Sequence, residues 1–181
     1  MIKGNVCGLR AIQRSDLDTL LKWRNRPEVR CFFRETREIS PEQQTTWYEN
    51  IVKNDPRTNM FSIVRLEDNE LIGACGLCYI DQINQNADFS IYIGKDDLYI
   101  DEVYAVDAAQ LLLSYGFDEL NLHRIWAEIY SIDEPKVQLF DTLNFVSEGV
   151  HRETHWTEGK WVNSLFYGIL KKDYLNQRDD E

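Results

Sequence analysis

Between residues 94 and 105 the chain reads GKDDLYIDEVYA, a turn leading from an extended stretch into a helix. A helix start presents unpaired N–H groups and the positive end of the backbone dipole, so it is a natural seat for an anion such as a phosphate. This turn instead carries Asp96, Asp97, Asp101 and Glu102 against a single base, Lys95. Two readings are open: Asp101 or Glu102 caps its own helix, or the carboxylates repel whatever anion approaches. Either leaves no free anion site.

Other residue types that could do chemistry are few. On the strand before the turn, Asp88, Ser90 and Tyr92 share one face, and Phe89, Ile91 and Ile93 share the other. Cys75 and Cys78 form a lone CxxC, but in LIGACGLCYI, which reads as a strand, residues three apart point to opposite faces. Buried free thiols are therefore expected, with no redox pair. His151 and His155, four apart in a strand, face one side; they are either solvated or positioned for one to reach a substrate. No third ligand accompanies them, so no metal site is expected.

The elements that must position these groups follow from periodicity and caps. NVCGLRAI is a short strand. Ser15 is read as the cap of SDLDTLLKW, whose Leu17, Leu20 and Leu21 recur at helical spacing. Ser40-Pro41-Glu42-Gln43 is a capping box opening a second helix through Trp47 and Ile51. MFSIVRL and LIGACGLCYI form a hairpin through EDNE, and ADFSIYIG completes an antiparallel meander. A helix from about 103 to 117 carries Ala105, Ala108, Ala109 and Leu112 on one face. Because that crossover is helical, HRIWAEIY is expected parallel to ADFSIYIG, the two parting at one end. DEPKVQLFDTL is a short helix, and the chain closes with a hairpin around TEGK. The order β-α-α-β-β-β-α-β-α-β-β gives an α+β fold: a mixed, mostly antiparallel sheet flanked by helices, in one domain spanning 1–181.

Composition narrows the partners. Thirty-one acids against 20 bases leave a net charge of −11, which argues against nucleic acid, whose binders need a cationic footprint. A cationic small substrate fits the balance. No apolar run approaches the ~20 residues of a membrane span, and MIKGNVCGLR lacks the apolar core of a signal peptide. A cytoplasmic monomer or homodimer, without membrane contact, is the expectation.

The element order resembles the GNAT superfamily of N-acetyltransferases. GLRAIQRSDLDTLLKWRNRPEVR, ADFSIYIG, LLLSYGFDELNLHRIWAEIY, LFDTLNFVSEGVHRE and EGKWVNS are similar to successive stretches of its ribosomal-protein and nucleotide-aminosugar branch, over nearly the whole chain. The resemblance implies transfer of an acetyl group from acetyl-CoA to a primary amine by direct attack. A small acceptor, such as a nucleotide-linked amino sugar, is favoured over a protein N-terminus.

Residue by residue, the resemblance lays the pyrophosphate turn on Ile100-Asp101-Glu102-Val103-Tyr104-Ala105. Of the family pattern, Gln or Arg first, then Gly fourth and Gly or Ala sixth, only Ala105 remains; Val103 crowds the Gly position. Weak acetyl-CoA binding, with a dissociation constant on the order of tens of micromolar or weaker, is expected. The N–H groups of Ile91, Tyr92 and Ile93 are implied to polarise the thioester. The Asn and the proton-donating Tyr of the short helix fall on Asp133 and Phe140, with Asn144 at a Gly position. Tyr104 or Tyr99 is left as a substitute acid. Asp88 stands where relatives often carry a Glu base, with Glu128 on the neighbouring strand as the second choice. Trp23, Arg24, Asn25 and Arg30 are implied to wall the acceptor cleft, with Trp47 and Tyr48 nearby and His151 a possible contact. The competing expectation is a catalytically degenerate binding or interaction module of the same fold that binds CoA weakly or not at all.

Overall fold

The computed structural model describes residues 1–179. Eight strands form one sheet in the order β1-β2-β3-β4-β5-β6-β8-β7. They are β1 (Ile2–Lys3), β2 (Cys7–Ala11), β3 (Asn59–Arg65), β4 (Leu71–Asp81), β5 (Asn86–Ile93), β6 (Arg124–Tyr130), β7 (Val146–Thr157) and β8 (Lys160–Leu170). All neighbours are antiparallel except β5 and β6, the parallel pair the crossover helix demands. That pair is short: it runs Asn86↔Arg124, Ala87↔Ile125, Asp88↔Trp126 and stops, so the strands part beyond Asp88. The fold is the expected α+β sheet with flanking helices.

Helices cover both faces. α4 (Tyr104–Ser114) packs across β2, β4 and β5. Ala105, Ala108, Ala109 and Leu112, all fully buried, meet Ile91, Ile93 and Ile125 there. α5 (Glu134–Thr142) and α6 (Lys171–Asp179) close the same side through Leu139, Phe140 and Tyr174. On the opposite face, α1 (Leu17–Arg24) and α3 (Pro41–Trp47) bring Leu17, Leu20, Trp23 and Trp47 against Ala74 and Tyr92. Burying such side chains supplies roughly 1.5–3 kcal/mol each relative to exposure.

Local chemistry explains most boundaries. Ser40 Oγ accepts from the Gln43 N–H while Gln43 Oε1 accepts from the Ser40 N–H, the expected reciprocal cap. Asn144 ends α5 at φ +58°, a left-handed conformation that Gly adopts freely and Asn tolerates. Gly94 follows β5 with the Trp23 ring directly against it, where a Cβ would lie 2.1 Å from the indole. One boundary differs from expectation. Ser15 does not cap α1; a 3₁₀ turn (Arg14–Asp16) precedes it, and Asp16 accepts the Gln13 N–H at 2.8 Å. Asp16 wins because Arg10, at 2.7 and 2.9 Å, and Ser62, at 2.8 Å, also hold its carboxylate. Strand β1, the single-turn α2 (Pro27–Arg30) and α6 are additions to the sequence reading.

Candidate active site

The acid-rich turn resolves one carboxylate at a time. Lys95 Nζ lies 2.6 Å from Glu70, and Asp97 pairs with Arg26 at 3.2 Å. Asp101 turns back onto its own helix, accepting the N–H groups of Val103 (3.1 Å), Tyr104 (2.8 Å) and Ala105 (2.8 Å). The capping reading therefore holds, and the three donors at the start of α4 already have an anion. Glu102 and the Val103 side chain point to solvent. A second carboxylate on α4, Asp107, fixes the helix from the far side. It takes the N–H groups of Asn5, Val6 and Cys7 at 2.9–3.0 Å. Burial raises that carboxyl, but the three donors outweigh it and hold it below the ordinary range.

The parting of β5 and β6 exposes backbone on the inner side of the sheet. The Ile93 N–H is spent on the Tyr99 carbonyl at 2.8 Å. By the two-residue period of a strand, the Ile91 N–H points the same way, into the gap. Of the backbone donors named from the resemblance, Ile91 is thus the one directed there without that partner, and Tyr92 faces β4. The gap suits an extended donor arm. At the start of α4, Asp101 already occupies the Val103, Tyr104 and Ala105 N–H groups that a phosphate would use.

Asp88 sits where the strands part, 5% exposed, with Glu128 two residues beyond its partner Trp126 on the same face. Arg34 joins them: Nη1 is 2.7 Å from Asp88 Oδ2 and Nε is 3.5 Å from Glu128 Oε2. The other Glu128 oxygen accepts from Ser164 Oγ at 2.6 Å. Burial pushes the Asp88 carboxyl up, against the opposing pull of Arg34 and Lys136. An ionised carboxylate with a raised affinity for protons suits a general base.

A second charged group lies beside it. Asp133, wholly buried, caps α5 through the Lys136 N–H and accepts the Tyr99 hydroxyl at 2.7 Å. Lys136 Nζ stands 3.8 Å from Asp133 and faces the rings of Tyr99 and Phe33. Burial lowers the Lys136 ammonium, countered by Asp133 and Asp88. Burial likewise raises Asp133. Neither Arg34 nor Lys136 was singled out from sequence. The i, i+3 spacing of Asp133 and Lys136 was a usable signal; nothing local marked Arg34.

On the Asp88 face a cleft of about 590 Å³ opens between the sheet and the α1–α3 wall, lined among others by Arg24, Phe33, Trp47, Tyr79, Ser90 and Tyr92. Arg24 lies over the Phe33 ring, with its carbon 4.1 Å from the centroid, and its buried Nη1 has no hydrogen-bond partner among the described residues. Burial lowers its guanidinium. Trp23 and Asn25 build the wall from behind: Trp23 packs on Gly94, and Asn25 clasps both backbone groups of Ile39 at 2.8 and 2.9 Å. Arg30 and His151 do not line this cleft; the His151 ring rests on Phe166, 4.4 Å away.

The remaining assignments need correction. Phe140 has no exposed surface and is packed among Phe89, Phe145 and Tyr167, so it meets core aromatics and no ligand. Tyr104 opens α4 and packs against the main core cluster, on the face of the sheet opposite the Asp88 cleft. Ile100 packs on the α4 core and Ala105 is buried within it. The four cysteines are free; burial pushes the Cys78 thiol up to about 12, an unreactive state.

Comparison with known proteins agrees with this geometry. Residues 7–146 match the acetyltransferase (GNAT) domain. The chain is 30% identical to the uncharacterized N-acetyltransferase p20 of Bacillus licheniformis over 92% of its length and 93% of that protein. It is 28% identical to the spermidine N(1)-acetyltransferase of Vibrio cholerae, covering 94% and 96% of the two chains. The crystal structure of the Vibrio cholerae spermidine N-acetyltransferase with CoA and spermine superposes with a TM-score of 0.85 at 26% identity, over 94% of this chain and 98% of that one. Strand order, the parted parallel pair and the matched residues converge: the chain belongs to the GNAT family of acetyltransferases.

Proposed function

We propose that the chain transfers the acetyl group of acetyl-CoA to a primary amine of a small aliphatic polycation, of the polyamine class, with Asp88 as the base. The observation that carries this reading is the pair Asp88 and Glu128 at the mouth of the β5–β6 gap, on the face where the acceptor cleft opens. Acetyl-CoA supplies an activated thioester when bound. The chain's own part is to hold an ammonium beside Asp88, take its proton, and present the Ile91 N–H to the developing oxyanion. Orienting both substrates across the gap supplies much of the rate. Two relatives named as spermidine acetyltransferases and the net charge of −11 support a cationic acceptor.

One observation favours a second acceptor. The unpartnered Arg24 Nη1 in the cleft would suit an anionic group, as on a nucleotide-linked amino sugar. A thiol-release assay with spermidine, propylamine, an aminosugar nucleotide and an N-terminal peptide separates the readings. Spermidine is expected to be turned over fastest. Turnover of the aminosugar nucleotide alone would move the assignment to the second.

A further inference from the structure

Arg34 has no task in the reaction just described, yet it occupies its centre. It belongs to the irregular segment between α2 and α3, not to the sheet that holds its partners. Its side chain is 42% exposed while that of Asp88 is 7% exposed, so the cation lies on the solvent side of a buried anion. Above it stands Tyr79, whose ring centroid is 5.8 Å from the guanidinium carbon. Tyr79 is placed there by a bulge in β4 between Cys78 and Asp81, with φ +51°, a left-handed conformation that non-glycine residues rarely adopt. The Tyr79 side chain also lines the acceptor cleft. Arg34 thus stands at the contact between cleft and base.

A guanidinium and a primary ammonium make the same demand: positive N–H donors directed at carboxylate oxygens. Arg34 holds Asp88 Oδ2 and Glu128 Oε2, the oxygens that an ammonium seated between the two carboxylates would use. We propose that Arg34 is a specificity-determining residue, a tethered cation that fills the acceptor's ammonium seat between Asp88 and Glu128 and must be displaced for the amine to reach the base. The inference rests on Asp88 lying at the reaction centre. A tethered group competes at a local concentration of order millimolar or higher. Apparent affinity for any acceptor falls by the fraction of time the seat is open. A simple monoamine has nothing to offset that loss. An acceptor with a long apolar stem or a second charge gains contacts along the cleft and displaces Arg34.

The test compares the parent with Arg34→Ala, Arg34→Gln and Arg34→Lys, each checked for a parental melting transition. Methylguanidinium, titrated calorimetrically without acetyl-CoA, should bind the Ala and Gln variants in the millimolar range. It should bind the parent and the Lys variant at least tenfold more weakly, since each keeps a tethered cation. For the fastest acceptor of the panel above, KM should fall severalfold in the Ala and Gln variants. Equal methylguanidinium binding by all four proteins, or none by any, overturns the proposal, as does a KM that rises on removing Arg34. Asp88→Asn separates the two levels. If it turns over like the parent, the reading of the site is wrong. If it is inactive while the Arg34 variants keep parental KM and ignore methylguanidinium, only the role of Arg34 is wrong.

Discussion

Replacing Asp101 sets stability against donor affinity. Its carboxylate satisfies three N–H groups at the start of α4 with both oxygens. Asp101→Ala leaves them to water. Loss of a cap costs about 0.5–2 kcal/mol, and three donors place this case in the upper half, about 1–2 kcal/mol. For a chain of this size that is a fall in melting temperature of about 2–8 °C. Asp101→Asn keeps one accepting oxygen and should lose about half as much. Donor affinity should move the opposite way. A unit charge about 4 Å from a phosphate repels it by about 1 kcal/mol in water and about 4 at an effective dielectric near 20. Both variants should therefore bind CoA more tightly by about fivefold or more in calorimetric titration, with the Asn variant losing the smaller share of stability. Added salt should strengthen CoA binding by the parent, because it screens repulsion over about 10 Å at 0.1 M. Equal CoA affinity in the parent and both variants would refute the reasoning, since the carboxylate would then not stand in the phosphate's place.

Three further outcomes are expected. Asp88→Asn should lower kcat by about 10²–10⁴-fold, and the acid limb of the parent's pH profile should lie above the usual carboxylate value of about 3.9, because burial raises this group; a limb at or below that value argues against Asp88. Asp107 is held below its ordinary range by three N–H donors, so its stabilisation is complete above the unfolded value of about 3.9 and is lost as pH falls through the folded one; Asp107→Asn should cost about 1–3 kcal/mol in urea unfolding at pH 7 and less at pH 3. Phe140→Tyr, which the resemblance suggests would restore a proton donor, should instead bury a hydroxyl among Phe89, Phe145 and Tyr167, costing about 1–3 kcal/mol in unfolding free energy without raising turnover.

Much of the architecture was legible because it is written locally. Alternation fixed β3, β4 and β5, the Ser40 box fixed α3, and the helical crossover required β6 to run parallel to β5. Asp88 and Glu128 came from the family resemblance, and their shared face follows from the register that pairs Asp88 with Trp126. The cation between them had no such signal, because Arg34 lies 54 residues from Asp88 and in a segment with no period. Ser15 was expected to cap α1, while Asp16 closes that turn through Arg10 and Ser62, which meet it only by tertiary contact. Phe140 was misjudged for the opposite reason. An aligned position carries a role only if its surroundings are wet, and that is a property of packing.

The short parallel pairing between β5 and β6 gives the protein an edge in the middle of its own sheet. Beyond Asp88 each strand presents backbone groups that no neighbour in the ladder satisfies. Unpaired edges invite foreign strands, and sheets normally blunt them at their margins with charge, bulges or shortness. The outermost long strand does so here: β7 breaks its register twice, near Ser147/Gly149 and His151/His155, and carries Glu148, Arg152 and Glu153. The inner edge is guarded differently. The Tyr99 carbonyl takes the Ile93 N–H, and Arg34 ties the two strands at the fork. What remains open beyond Asp88 ends with β5 at Ile93, a short run for an invading strand to find register on and room for the arm of a thioester donor.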